Sequence, residues 1–264
     1  MRRSGELVQE ACAADVGGWG FDWLLGRATE ERPPWGYSSL LSARLRHVGS
    51  ALDIDTGGGE VVAGAPVLPA RMVVTESWPP NARRARELLG PRGVRVVETR
   101  DGEALPFDDE SFELVTSRHP IRPDWGEIAR VLEPGGHYLA QHVGPESAFD
   151  LIERFVEVTP EQRRSRHPDR EAAAARAAGL DVLSVRRARC RMEFFDVGAV
   201  VYILRKCVWW VPDFDVDRYG DVSSSGVLDT TPRRGPQGRL TPPSVGACSG
   251  GRWRSSPWPG CGRG

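Results

Sequence analysis

From Ala51 onward the chain alternates short apolar runs with longer stretches of helical periodicity. ALDID (51–55) is an apolar run that ends in TGGGE, which predicts a strand leading into a glycine-rich turn. RMVVTE (71–76) reads as a second strand, and Pro79-Pro80 then opens a helix-compatible stretch, NARRARELLG, closed by Gly90. Proline in the first turn and glycine just past the end are the usual start and stop signals of a helix. VRVVET (94–99) and FELVTSR (112–118) supply a third and a fourth strand. DWGEIARVLEPGG (124–136) sets Ile128, Val131 and Leu132 on one helical face and stops at its Pro-Gly-Gly, before a fifth strand, HYLAQHV (137–143). Two helix-like pieces, AFDLIERFVEV and PDREAAAARAAGL, precede a sixth strand in DVLSVRRARCRMEFF (181–195). Strands separated by helix-length patterns imply βαβ units and a mostly parallel sheet with flanking helices, an α/β fold.

Two segments stand outside this alternation. Residues 1–50 predict an N-terminal helical cap, one or two helices plus a turn, GRATEERPPWGY (26–37), ahead of the first strand. Residues 51–221 form the expected main domain, with 196–221 reading as helix plus connection. Residues 222–264 hold nine Gly, six Pro and seven Ser without apolar periodicity. Such a composition cannot bury enough surface to offset its ordering entropy, so a disordered low-complexity tail is expected.

Composition then narrows the function classes. With 264 residues, 40% hydrophobic and 27% charged, the chain can build a sizeable core, which argues against wholesale disorder, collagen-like structure and coiled coil. The formal net charge of −1 gives no general argument for nucleic acid or a membrane surface. That balance hides a split, because 222–264 carries six Arg against one Asp and the rest is net acidic. Five scattered cysteines without a C-x-x-C pair suggest neither a disulfide framework nor a metal site, and fit a reducing cytoplasm. The start, MRRSGELVQE, has no apolar core of a secretory signal. The apolar run VGAVVYIL (197–204) is eight residues long, where a membrane span needs about 20.

Candidate chemistry gathers after the strands. Gly57, Gly58 and Gly59 allow close backbone approach at the carboxyl edge of the sheet, where ligands bind. The string LDIDTGGGE is not the G-x-G-x-x-G of a dinucleotide site, and a glycine-rich turn alone is also a common loop. Glu76 ends the second strand, where a carboxylate can accept both hydroxyls of a ribose or simply serve as a cap or solvated turn residue. Asp101 follows the third strand, within RDGEALPFDDESFELV (100–115), where a side chain can meet an adenine edge.

Taken together, these strings resemble the class I S-adenosylmethionine-dependent methyltransferases, specifically the methyltransferase type 11 group. LDIDTGGGE resembles the family's L-D-x-G-x-G-x-G loop, and TESWPPNARRAREL its acidic segment after the second strand, with Glu76 in the acidic position. DGEALPFDDESFELV is similar to the D-A-E-x-L-P-F-x-D-x-S-F-D-x-V signature, and EIARVLEPGGHYLA to the R-V-L-K-P-G-G segment. The four lie in order over roughly residues 45–145. RATEERPPWGY, DTGGGE and SRHP also resemble a branch common in actinobacteria.

The resemblance implies a Rossmann-like sheet and S-adenosyl-L-methionine as cofactor. Gly57 and Gly59 would meet its methionine moiety, Asp53 would sit near its amino group through water, and Glu76 would bind its ribose hydroxyls. Asp101 and the Gly102 backbone would meet the adenine. Asp55 stands where the family has its first loop glycine, placing a negative charge near a cationic sulfonium or a cap on the following helix. Family sheets end with an antiparallel seventh strand slotted between the fifth and sixth. The tail VSSSGVLDTTPRRGPQGRLTPPSVGACSGGRWRSSPWPGCGRG lacks the β-branched or aromatic run such a strand needs. A sheet without the final strand is therefore expected, and the abrupt change of composition reads either as a frame-altered end of a GC-rich gene or as a genuine flexible tail.

On the acceptor side, His119 closes the fourth strand and is the candidate catalytic base, with His142 near the end of the fifth as a weaker one. Methyl transfer from a sulfonium is often helped mainly by alignment, so no base is required by the chemistry. Trp35 and Tyr37 either close over the sulfonium by a cation–π contact or pack the N-terminal helix on the sheet. Arg27 either pairs with the cofactor carboxylate or forms an ion pair with Glu30 or Glu31. A DNA amino-methyltransferase would carry a D/N-P-P-Y/F/W string where this chain has SRHP, so the acceptor is expected to be a small molecule, methylated at O or N. The competing expectations are an inactive or degenerate methyltransferase-like protein that binds the cofactor without turnover, and a nicotinamide-dependent oxidoreductase.

Overall fold

The computed structural model describes residues 3–17, 20–100, 102–120, 122–145 and 147–219, and the backbone of 247–255. In chain order the helices are α1 (Ser4–Ala13), α2 (Tyr37–Leu45), α3 (Glu60–Ala63), α4 (Pro79–Leu89) and α5 (Trp125–Val131). They continue with α6 (Phe149–Ile152), α7 (Pro160–Arg164), α8 (Pro168–Ala177), α9 (Val197–Lys206) and α10 (Val216–Tyr219). The strands are β1 (Ala28–Glu30), β2 (Ser50–Ile54), β3 (Arg71–Glu76), β4 (Arg95–Glu98) and β5 (Phe112–Arg118). After them come β6 (Leu132–Val143), β7 (Leu180–Arg189), β8 (Met192–Phe194) and β9 (Ala247–Ser255). The chain divides into two compact units, each made of several segments. One unit is Pro33–Gly144 with Arg166–Ala188 and Cys248–Gly264; the other is Met1–Arg32 with Pro145–Ser165 and Arg189–Ala247.

Among the described residues the first unit is built on a seven-stranded sheet in the order β4-β3-β2-β5-β6-β9-β7. The pairs β2–β3, β2–β5, β3–β4 and β5–β6 are parallel. Successive residues of each strand serve opposite faces. Ala51, Met72, Val74, Leu114 and Leu139 pack with Tyr37, Leu41 and Leu45 of α2, Val62 of α3 and Ala85 and Leu89 of α4. Leu52, Val73, Val115, Tyr138 and Ala140 pack with Ile128 and Val131 of α5 and with Ala172 and Ala175 of α8. Helices on both faces explain why these strands read as continuous apolar runs rather than as alternation.

Three expectations are corrected. The sheet does not lack its final strand: Ala247–Ser255 lies antiparallel to β6, from His137↔Arg254 to Val143↔Cys248, between β6 and β7. Ladder pairing needs free backbone donors and acceptors before it needs a side-chain pattern, and the stretch between Pro243 and Pro257 contains no proline. The remainder of the expected disordered tail, 222–246 and 256–264, lies outside the described residues. Second, the predicted helix over 124–136 stops at Val131, and β6 begins at Leu132 with a register shift against Phe112 and Leu114. Gly136 is required there, because a Cβ would sit 2.9 Å from the Glu133 carbonyl oxygen and 3.2 Å from that of Glu113. Pro134-Gly135-Gly136 is thus a bulge inside a strand, not a helix stop. Third, the predicted sixth strand over 181–195 is two strands, and its second part, β8, pairs antiparallel with β1 in a separate two-stranded sheet.

The second unit is organised around α9. Val197–Leu204 and Lys206 are all buried, so the apolar run over 197–204 is a core helix. Gly198 permits close contact with α1: a Cβ there would meet the Leu7 carbonyl oxygen at 2.7 Å. Trp23 stacks on Tyr202 at 4.7 Å, and Arg205 donates to the carbonyls of Ala11, in α1, and Ala14, just past its end, at 2.5 and 3.1 Å. Lys206, the sole lysine, donates to the carbonyls of Val16 and Gly17 at 3.2 Å. No helix of the described residues is long and apolar enough to cross a membrane.

Candidate functional site

The parallel strands of the first unit bring their carboxyl ends to one edge, and the strand order reverses between β2 and β5. Open α/β sheets place ligands at that reversal. Each of the two strands is followed by a non-glycine residue in the left-handed region, Asp55 at φ 55° and His119 at φ 59°. Such conformations cost about 1–3 kcal/mol and persist where surrounding contacts impose them.

The glycine loop is tied to the end of β3. The Asp55 N–H donates to Thr75 Oγ1 at 3.4 Å and the Thr56 N–H to the Thr75 carbonyl at 2.9 Å. The Gly57 N–H donates to Glu76 Oε2 at 2.7 Å, and the Trp78 N–H to Glu76 Oε1 at 2.9 Å. The Glu76 carboxylate is also hydrogen-bonded by the Ser77 N–H and the Asn81 side chain. Gly57 has φ 65° and nothing within 4 Å of a would-be Cβ, so its backbone borders open space. Gly59, at φ 84°, is different: a Cβ would lie 2.7 Å from Leu89 Cδ1 and 3.5 Å from Ala85 Cα. Its glycine requirement comes from packing against α4.

Asp53 and Glu76 are both buried without a basic ion-pair partner among the described residues. Asp53 accepts from Thr116 Oγ1 at 2.5 Å; burial pushes its carboxyl up to about 6, against the lowering effect of that hydroxyl. Burial likewise raises the Glu76 carboxyl, opposed by the N–H groups of Trp78 and Gly57. Asp101 lies outside the described residues. Gly102 follows it at φ 80° with nothing within 4 Å of a would-be Cβ. The connection beyond is clamped by Arg130 of α5. Its guanidinium donates to the carbonyls of Leu105 and Phe107 at 3.0 and 2.7 Å and to Asp109 at 2.8 Å. It also pairs with both oxygens of Glu127, at 2.7 and 2.8 Å, while Glu127 accepts from the Leu105 N–H at 2.6 Å.

At the end of β5, the exposed His119 donates its backbone N–H to the Gln141 carbonyl at 2.7 Å, and its Nε2 lies 3.1 Å from Gln141 Nε2. Trp35 Nε1 donates to Gln141 Oε1 at 2.9 Å, and the buried Tyr37 hydroxyl to the Ser117 carbonyl at 3.2 Å. His142 does not face the open edge as expected. Strand alternation turns it to the α8 side, where it is buried with Nδ1 2.7 Å from Glu171 Oε2 and Nε2 3.2 Å from the Tyr138 hydroxyl. Arg27 belongs to the other unit, paired with Glu10 at 2.5 Å and 3.8 Å from Asp196; neither Glu30 nor Glu31 is its partner.

Residues 52–140 match the family model described as a methyltransferase domain. This stretch is similar to a methyltransferase domain. Among curated proteins the chain is similar to the uncharacterized methyltransferase YcgJ of Bacillus subtilis, 27% identical over 126 residues, which are 44% of this chain and 49% of that protein. It is also similar to a demethylmenaquinone methyltransferase of Roseiflexus castenholzii, 30% identical over 151 residues, 52% of this chain and 63% of that one. These matches therefore span about half to three fifths of the relatives' own length. The crystal structure of YcgJ shares the fold, with a TM-score of 0.53 at 14% identity, over 84% of this chain and 98% of that one.

The matched stretch runs from within β2 to within β6 and contains the glycine loop, Glu76, the Arg130 clamp and His119. Gln141, Trp35 and Tyr37 lie just outside it and complete the same edge. Sequence reasoning missed Thr116 and Gln141. The available signal was polarity inside otherwise apolar strands, in FELVTSR and HYLAQHV, since a polar side chain buried in a sheet must find a partner.

Proposed function

We propose that this protein is an S-adenosylmethionine-dependent methyltransferase acting on a small-molecule acceptor at oxygen or nitrogen. The observation that carries the reading is Glu76, a carboxylate that ends β3 and accepts the Gly57 N–H beside that residue's open backbone. A carboxylate at the end of β3, beside an open loop backbone, suits a vicinal diol. In this reading Glu76 takes the ribose hydroxyls, the Gly57 backbone meets the methionine moiety, and Gly102, with Asp101, meets the adenine. Gly59 acts from behind, by letting α4 close against the loop. The cofactor, when bound, supplies an electrophilic methyl group on a sulfonium. Asp53 and Asp55 contribute negative charge toward that cation and its amino group. His119 is the candidate residue on the acceptor side.

Isothermal titration of the purified chain with S-adenosylmethionine and S-adenosylhomocysteine tests the reading. Glu76→Ala removes charge-assisted hydrogen bonds, and affinity is expected to fall at least about tenfold. Wild-type affinity in that variant would remove Glu76 from the site. Preferential binding of a nicotinamide dinucleotide would replace the methyltransferase reading by an oxidoreductase.

A further inference from the structure

The strained residue at the end of β5 is held by a directional chain of hydrogen bonds. Trp35 Nε1 can only donate, so the atom of Gln141 that meets it at 2.9 Å is the amide oxygen. That assignment orients the whole amide, because Gln141 is buried and its two ends are satisfied by different partners. Gln141 Nε2, which also can only donate, then faces His119 Nε2 at 3.1 Å. His119 Nε2 must therefore be the acceptor. In a neutral imidazole one nitrogen accepts and the other carries the proton, so the proton of His119 resides on Nδ1. The same Gln141 also accepts the His119 backbone N–H at 2.7 Å, which holds the residue at its left-handed φ of 59°.

We infer that Trp35 and Gln141 are positioning residues that lock His119 as a neutral, Nδ1-protonated imidazole, so that it orients the methyl acceptor rather than deprotonating it. While Gln141 is in place, a proton added at Nε2 would set two donors face to face, and Nδ1 already holds one. The one ring lone pair of the imidazole, on Nε2, is thus committed to the Gln141 amide and is not offered to a substrate proton. The acceptor it serves is one that arrives with a lone pair already available, an unprotonated amine or an ionised oxygen. Alignment is then the main contribution of the protein to the step, which is chemically sufficient for transfer from a sulfonium. The part concerning the acceptor rests on the methyltransferase reading; the part concerning the imidazole does not.

The test is nitrogen NMR of the full chain labelled with 15N, without cofactor, at a pH where His119 is neutral and with its signals assigned by comparison with His119→Gln. The wild type is expected to show a protonated Nδ1 and an unprotonated Nε2. In Gln141→Glu the carboxylate accepts from both Trp35 and His119, and the two nitrogen signals exchange character as the proton moves to Nε2. Trp35→Phe frees the amide to turn and is expected to give a mixture of the two tautomers; it reports even if Gln141→Glu fails to fold. A wild-type Nε2-protonated form, or an unchanged tautomer in every folded variant, would overturn the inference. Methylation of an un-ionised alcohol that is lost in His119→Gln would overturn the orienting role. Absence of S-adenosylmethionine binding alongside the expected tautomer would instead sink the proposed function and leave the hydrogen-bond chain standing.

Discussion

Two acidic motifs on one sheet edge are built on opposite electrostatics. Asp53 and Glu76 are buried and held by hydroxyl and N–H donors, with no basic side chain paired to either among the described residues, and burial raises both carboxyls. Glu127, in the clamp over the connection between β4 and β5, is held by the Arg130 guanidinium, which lowers its carboxyl. The paired carboxylate is satisfied and serves structure. The unpaired ones carry an uncompensated cost of burial, which a cationic or hydroxyl-bearing ligand can relieve. The signature string 102–115 and the loop 53–59 thus do different work, although both belong to the same family resemblance.

The comparison breaks most visibly at Arg130. Arg130→Ala removes five hydrogen bonds, to Leu105, Phe107, Asp109 and both oxygens of Glu127, and leaves Glu127 without its cation. A loss of about 3 kcal/mol is expected, at the low end for a broken pair because Arg130 is partly exposed. Urea denaturation measures it, and a midpoint equal to wild type would mean the clamp contributes nothing.

Asp53→Asn should act in the opposite direction. The folded carboxyl titrates at about 6 and the ordinary value is 3.8, so between those pH values the unfolded chain binds fewer protons. Stability from this group is therefore full below the lower value and is lost as pH rises through the upper one. Removing the charge is expected to stabilise the cofactor-free protein by about 2 kcal/mol at pH 7, after the weakened Thr116 hydrogen bond is allowed for, and by nothing near pH 3. Thermal unfolding across that range checks it; parallel wild-type and variant curves would show that Asp53 is not the group responsible. The smallest effect on stability belongs to Gly57→Ala. Its Cβ meets nothing, so only the left-handed backbone penalises it, by about 1 kcal/mol. Cofactor affinity should nonetheless fall, because the methyl occupies the space beside the loop. Unaltered titration would move the ligand away from Gly57.

Much of the sheet could be read directly. RMVVTE and FELVTSR became β3 and β5 with the predicted boundaries, because strands buried on both faces need unbroken apolar residues. The loop and Glu76 were legible as strings whose residue types are demanded by backbone approach and charge. Local pattern failed where a residue's part depends on what lies across the sheet. Pro134-Gly135-Gly136 carries the same letters as a helix stop and a bulge, and only pairing with β5 selects the bulge. Gln141 and His142 are neighbours in sequence, but the face on which each lies decides that one reaches Trp35 and the other Glu171.

The sequence by itself determined the alternating α/β elements, the glycine loop and the acidic residue that ends β3, since each follows from side-chain type at short range. Tertiary structure alone decided the antiparallel place of Ala247–Ser255 beside β6, where ladder pairing depends on the neighbouring backbone. It also decided that Gly59 serves α4 while Gly57 borders open space, because contact across 30 residues of chain is invisible in either string. The state of His119 was settled the same way: a donor-only indole 84 residues before it aims an amide, and the amide sets which nitrogen holds the proton.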